Sequence, residues 1–219
     1  MKTLYEGILS DMDDVLSTGD DEVMKAHILD QLHNKNLYWY NSMIPDKDAF
    51  IIKKKGNKWI VDLKISFCCY GTSNGYITDG TFTFGVAAKS FTITPNEYES
   101  KYCSIKSLKY CPTLVNGNFS IMDCPKLKNL HYCPKKVISN IVIGNTGITT
   151  LKYFPEVSYF IEIVHNKKLT SFDICKTASR FGIRLQKNGF ESDKNTVIDN
   201  SNLSIIMNSN TSETILVDK

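Results

Sequence analysis

The stretch CPKLKNLHYCPKKVISNIVIGN, residues 124–145, holds two Cys-Pro pairs and closes on an alternating apolar run. Three readings compete for it: a metal site, a disulfide staple, or one unit of a repeat. The flanking sequence decides. Pro112, Pro134 and Pro155 are spaced by 22 and 21 residues. Ile105, Leu127, Ile148 and Leu169 fall into one column, and Leu108, Leu130, Leu151 and Phe172 into the next. Tyr110, Tyr132, Tyr153 and Ile174 hold a third. Alternating pairs follow: Phe119 and Ile121, Ile141 and Ile143, Ile161 and Ile163, Phe181 and Ile183. Recurrence of several columns at a fixed period is the signature of a stacked repeat.

The physics of one unit follows from its pattern. Apolar-x-apolar is a short strand with one buried face. The I/L-x-x-L segment tucks two side chains inward, and proline marks a corner because it cannot continue a regular element. A single unit cannot bury its own apolar face, so equivalent units stack and share a core. Equivalent strands then pair in parallel, about 4.8 Å apart. The expectation is a solenoid of about five or six rungs, with a strand on one side and irregular backbone on the other.

The text FSIMDCPKLKNLHYCPKKV, residues 119–137, resembles the degenerate leucine-rich-repeat-like arrays of bacteriophage and Bacteroides proteins. Weaker echoes are CSIKSLKYCPTLV and GITTLKYFPEV, and the resemblance spans roughly residues 80–190. It implies an interaction surface rather than a catalyst, in a phage product acting in the virion or in the cytoplasm of the infected bacterial cell. The chain departs from the leucine-rich pattern in two ways: it shows no regular asparagine ladder, and its fourth unit lacks the proline.

The cysteines fit the repeat. Cys111 and Cys133 share a column before the proline, and Cys103 and Cys124 share another, so they are expected to form small apolar ladders. Zinc needs close Cys pairs two to four residues apart, and the vicinal Cys68-Cys69 is a poor chelate. Seven cysteines, an odd count, also argue against a complete disulfide framework.

Residues 3–17 carry Leu4, Tyr5, Ile8, Leu9, Met12, Val15 and Leu16 at helical spacing. Thr18, Gly19 and Asp20 interrupt it. Asp20, Asp21 and Glu22 then favour a second helix start, continued by Val23, Met24, Ile28, Leu29 and Leu32. The fold class expected is therefore α+β: two N-terminal helices, then a β-rich leucine-rich-repeat-like solenoid with parallel strands. Residues 1–36 form the helical segment and residues 37–219 the solenoid with its cap hairpin. The first helix either caps the open end of the stack or docks to a partner. In the docking reading Leu4, Tyr5, Ile8, Leu9 and Met12 are its contacts.

AFIIKKKGNKWIVDLKISF, residues 49–67, reads as a hairpin turning at Lys55-Gly56-Asn57, with Trp59, Val61, Leu63 and Ile65 on one face. TFTFGVAAKSFTIT supplies another strand. SNLSIIMNSN and TILVDK predict one or two closing strands.

The chain has 219 residues, 42% hydrophobic and 22% charged, a globular composition. The acidic opening has no long apolar run, so it does not read as a secretory signal, and nothing suggests a membrane partner. Net charge is +3, but it is unevenly spread. Residues 1–50 carry ten acids and four lysines, whereas residues 101–190 carry fourteen Lys or Arg and four acids. Such asymmetry speaks to partners. No phosphate-binding glycine loop, no His-Glu-x-x-His and no calcium loop is present. The expectation is no enzyme, no cofactor, no metal and no small-molecule substrate. Lys126, Lys128, Lys135, Lys136, Lys152, Lys167 and Lys168 recur at outward positions and form a candidate basic stripe. The expected partner is a protein, from phage or host or a second copy of the chain. Nucleic acid is the alternative, since Tyr110, Tyr132 and Tyr153 interleave with the lysines and offer rings to bases.

Overall fold

The computed structural model describes residues 21–33, 49–70, 74–95, 101–170, 182–186, 188–189, 203–208 and 213–218. Over these the chain is a β-solenoid of about five turns. Strands are numbered in chain order. One sheet contains β1 (Phe50–Lys55), β2 (Lys58–Leu63), β4 (Phe82–Ala87), β6 (Leu114–Val115), β8 (Lys136–Val137) and β10 (Glu156–Val157), adjacent in that order. The other runs from β3 (Phe67–Cys69) through β5 (Phe91–Ile93), β7 (Phe119–Met122), β9 (Ile141–Gly144) and β11 (Phe160–Val164) to β12 (Gly182–Gln186). It closes on β14 (Glu213–Asp218) and β13 (Leu203–Asn208).

The alternating pairs pair in parallel, as their pattern requires. Phe91 faces Phe119, Phe119 faces Ile141, Ile141 faces Ile161 and Ile161 faces Ile183. Phe119, Ile121, Ile141, Ile143, Ile161 and Ile163 are fully buried. Stacking equivalent side chains fills the core turn by turn. Where the rings are large, the stack is aromatic: Phe67, Phe91 and Phe119 lie at successive centroid distances of 5.8 and 6.3 Å.

The expectation of one strand per turn is corrected. The turns carry a second strand, six residues long in β2 and β4 and two residues long in β6, β8 and β10, pairing Leu114 with Lys136 and Lys136 with Glu156. The inward residues of the two-residue strands are Val115, Val137 and Val157, all fully buried. The segments between the strand-end corner and the proline, such as residues 125–134, and the short connections between the two strands, such as residues 138–140, are irregular.

Both ends are capped antiparallel. β1 folds back on β2 through Gly56 and Asn57, with Gly56 at φ 59°, a value that glycine takes without steric cost. At the far end β14 pairs antiparallel with β12 and β13 with β14, so the expected closing strands exist as backbone. Helix α1 (Asp21–His33) supplies the N-terminal cover. Its Ile28 and Leu32 are fully buried in the common core, with Met24 and Leu29 packed against it. Gln31 fixes its seat by donating to Asp79 at 2.6 Å and Thr81 at 3.1 Å, and Lys54 pairs with Asp21 at 2.6 Å. Terminal repeats need such a cap, and the second expected helix provides it. The first expected helix lies outside the described residues.

Candidate interaction face

The irregular third side of the solenoid is built from residues 104–110, 126–132, 147–153 and 166–170. Ile105, Leu108, Leu127, Leu130, Ile148, Leu151 and Leu169 point inward and are buried. The residues between them are forced outward. They include Lys106, Lys109, Lys126, Lys128, Lys152, Lys167 and Lys168, all exposed. These segments contain no aspartate or glutamate.

The lack of carboxylates has an electrostatic consequence. Lys168 reaches toward Lys128 from two turns away, and that like charge holds the Lys128 pKa below the ordinary lysine value. Several cations elsewhere are ion-paired. Lys136 pairs with Glu156 at 2.6 Å, Arg184 with Glu162 at 3.1 Å, and Lys53 with Asp62.

A tyrosine column borders this face. Ser107, Asn129 and Thr150 each accept from the backbone N–H two residues on. The backbone then closes a tight turn: the N–H groups of Cys111, Cys133 and Phe154 donate to the carbonyls of Leu108, Leu130 and Leu151 at 2.9–3.0 Å. Tyr110, Tyr132 and Tyr153 occupy the third position of these turns, with φ of 75°, 68° and 71°. Glycine or asparagine suits that position. An L-residue with a full side chain is strained there by about 1–2 kcal/mol. Tyr132 and Tyr153 are nonetheless 51% and 53% exposed, so about half of each side chain's surface is left out of any burial that offsets the strain.

The rings form a row. Tyr76 and Tyr110 centroids lie 6.4 Å apart. His131 stacks on Tyr132 at 3.9 Å and approaches Tyr153 at 5.0 Å. Lys109 lies 4.8 Å from the Tyr110 ring and Lys152 5.3 Å from the Tyr153 ring. A hydrogen bond with Tyr110 raises the Lys109 pKa.

The sequence-derived stripe is therefore redrawn. Lys126, Lys128, Lys152, Lys167 and Lys168 share the face. Lys135 and Lys136 lie past the tyrosine corner, at the short strands, where Lys136 is ion-paired. Lys106 and Lys109 belong to the face and were missed, although their columns, Lys106 with Lys128 and Lys109 with Lys152, were readable. Leu4, Tyr5, Ile8, Leu9 and Met12 lie outside the described residues.

Among the described residues five of the six cysteines are buried and Cys133 is half-buried. Cys103 and Cys124 are buried beside each other, and the interaction between the two thiols lowers the Cys103 pKa and raises that of Cys124. Burial raises Cys111 and Cys133, and pushes Cys68 up to about 12. Among the described residues no group of three or more His, Cys, Asp or Glu side chains could hold a metal ion, and no helix is long and apolar enough to cross a membrane. No family model matches the chain, and no curated protein or solved structure is significantly similar to it.

Proposed function

We propose that this chain is a non-enzymatic repeat module that presents the lysine face to an anionic macromolecule. Seven exposed lysines on four successive turns, with no carboxylate among them, carry this reading. The solenoid holds them at fixed spacing, so their positive potentials add along its length. An acidic protein surface meets that requirement, in keeping with the phage-type arrays the sequence resembles and with a place in the virion or the infected cell. The second reading, a basic nucleic-acid-associated protein, is favoured by the tyrosines beside the lysines.

The test is titration of the intact chain with poly-L-glutamate and with a mixed-sequence single-stranded oligonucleotide. The expected result is binding to at least one of them that weakens steeply between about 50 mM and about 200 mM salt. The triple variant K126E/K128E/K152E should lose it. Absence of binding to both polyanions at low salt contradicts the reading.

A further inference from the structure

We infer that the occupant of this face is a single-stranded nucleic acid, with phosphates on the lysines and bases on the tyrosine row. The inference rests on the lysine face being the working surface.

The tyrosines carry the argument. Tyr110, Tyr132 and Tyr153 sit at positive φ in three successive turns, where asparagine or glycine would sit without strain. Strained residues persist where the strained conformation serves a function. Core packing does not account for the rings, because Tyr132 and Tyr153 remain half exposed. What this geometry achieves is a row of aromatic surfaces along the solenoid axis, one per turn, with turns about 4.8 Å apart. Lys109 and Lys152 lie against the rings of Tyr110 and Tyr153. His131 extends the row between Tyr132 and Tyr153.

A partner that supplied only negative charge would use the lysines and leave the rings unemployed. A duplex keeps its base faces inside the stack and offers mainly phosphates. A single strand offers both anionic phosphates and unstacked base faces, and proteins that bind single strands combine a basic track with aromatic platforms.

The test uses the intact chain, a fluorescein-labelled mixed-sequence single-stranded RNA or DNA 12-mer, its duplex, and poly-L-glutamate as competitor. Tyr132→Asn and Tyr153→Asn remove a ring while placing a residue suited to positive φ, so both variants keep the fold. The expected result is tighter binding of the single strand than of the duplex, with weak competition by poly-L-glutamate. Each Asn variant should bind about tenfold more weakly, with an unchanged or raised melting temperature, while Tyr132→Phe retains affinity. Equal affinity of the Asn variants and the parent overturns the inference. Poly-L-glutamate bound as tightly as the single strand, and unaffected by the tyrosine changes, also overturns it but leaves the lysine-face reading standing. Binding of neither polyanion removes both.

Discussion

Three successive turns of the solenoid have two corners at which a non-glycine residue takes positive φ, and the two are built differently. At the end of the longer strand the residues are Asp123, Asn145 and His165, types that tolerate the left-handed region. Asn145 donates to Asp123 at 2.6 Å. The next residue turns inward onto a polar column of Cys124, Thr146, Asn166 and Asn188. Asn166 donates to the carbonyls of Ile143 and Val164, and its oxygen accepts from the Thr146 N–H and hydroxyl. Asn188 repeats the pattern by donating to Ile163 at 2.7 Å. Cys124 plays the same part with a thiol, donating to Met122 at 3.1 Å. This corner resolves its own backbone demands. The tyrosine corner has the same type of backbone, an unsuitable residue and an exposed side chain. The contrast is between a corner whose residue types suit its backbone and one whose residue types do not, which the proposed reading explains by contact with a partner.

The largest effect is expected where the polar ladder is cut. Asn166→Leu would remove the side-chain donor from the Ile143 carbonyl and strand both donors of Thr146, while the Val164 carbonyl keeps the Asn145 N–H; the cost is expected to be about 3 kcal/mol or more, read as a lower urea midpoint. Gly147→Ala attacks the same corner sterically. An added Cβ would lie 2.2 Å from the Pro125 carbonyl oxygen and 2.9 Å from that of Leu127. A loss on the order of 2 kcal/mol is expected, checked by thermal melting. Asn145→Tyr places at the stable corner what the other corner already tolerates, and should cost about 1–2 kcal/mol. A smaller effect is expected on the lysine face. Lys128→Gln should raise the melting temperature slightly at low ionic strength by removing the repulsion from Lys168, and the gain should vanish as salt is added. The finest distinction is chemical. Cys103, held below the ordinary thiol range, should alkylate at lower pH than Cys68, pushed up to about 12, as peptide mapping of pH-stepped labelling would show.

Much of the fold was legible because large inward residues repeat. Ile105, Leu127, Ile148 and Leu169 announce themselves as one column, and the pairs from Phe119 to Ile163 alternate as half-buried strands must. The two-residue second strands were missed because two residues with one inward valine, such as Lys136–Val137, give no alternation to detect. Asn166 and Asn188 belong to a mixed polar column rather than to a regular asparagine ladder. That column was hidden because its members are Cys, Thr, Asn and Asn at spacings of 22, 20 and 22. Five of the seven lysines of the candidate face were visible as recurring lysines. Its decisive property, the positive φ of three tyrosines, is a backbone angle set by the turn, and tyrosine is not a residue from which one would infer it.

The most direct test of this contrast is equilibrium urea denaturation of the double variant Y132N/Y153N beside the parent. Removing two large aromatic side chains would ordinarily destabilise a repeat protein. Strain at the tyrosine corner predicts the opposite, a midpoint equal to or above that of the parent. A midpoint lowered as far as a core truncation such as Leu130→Ala would lower it, by about 3 kcal/mol, would show that the rings hold the solenoid together and contradict the account.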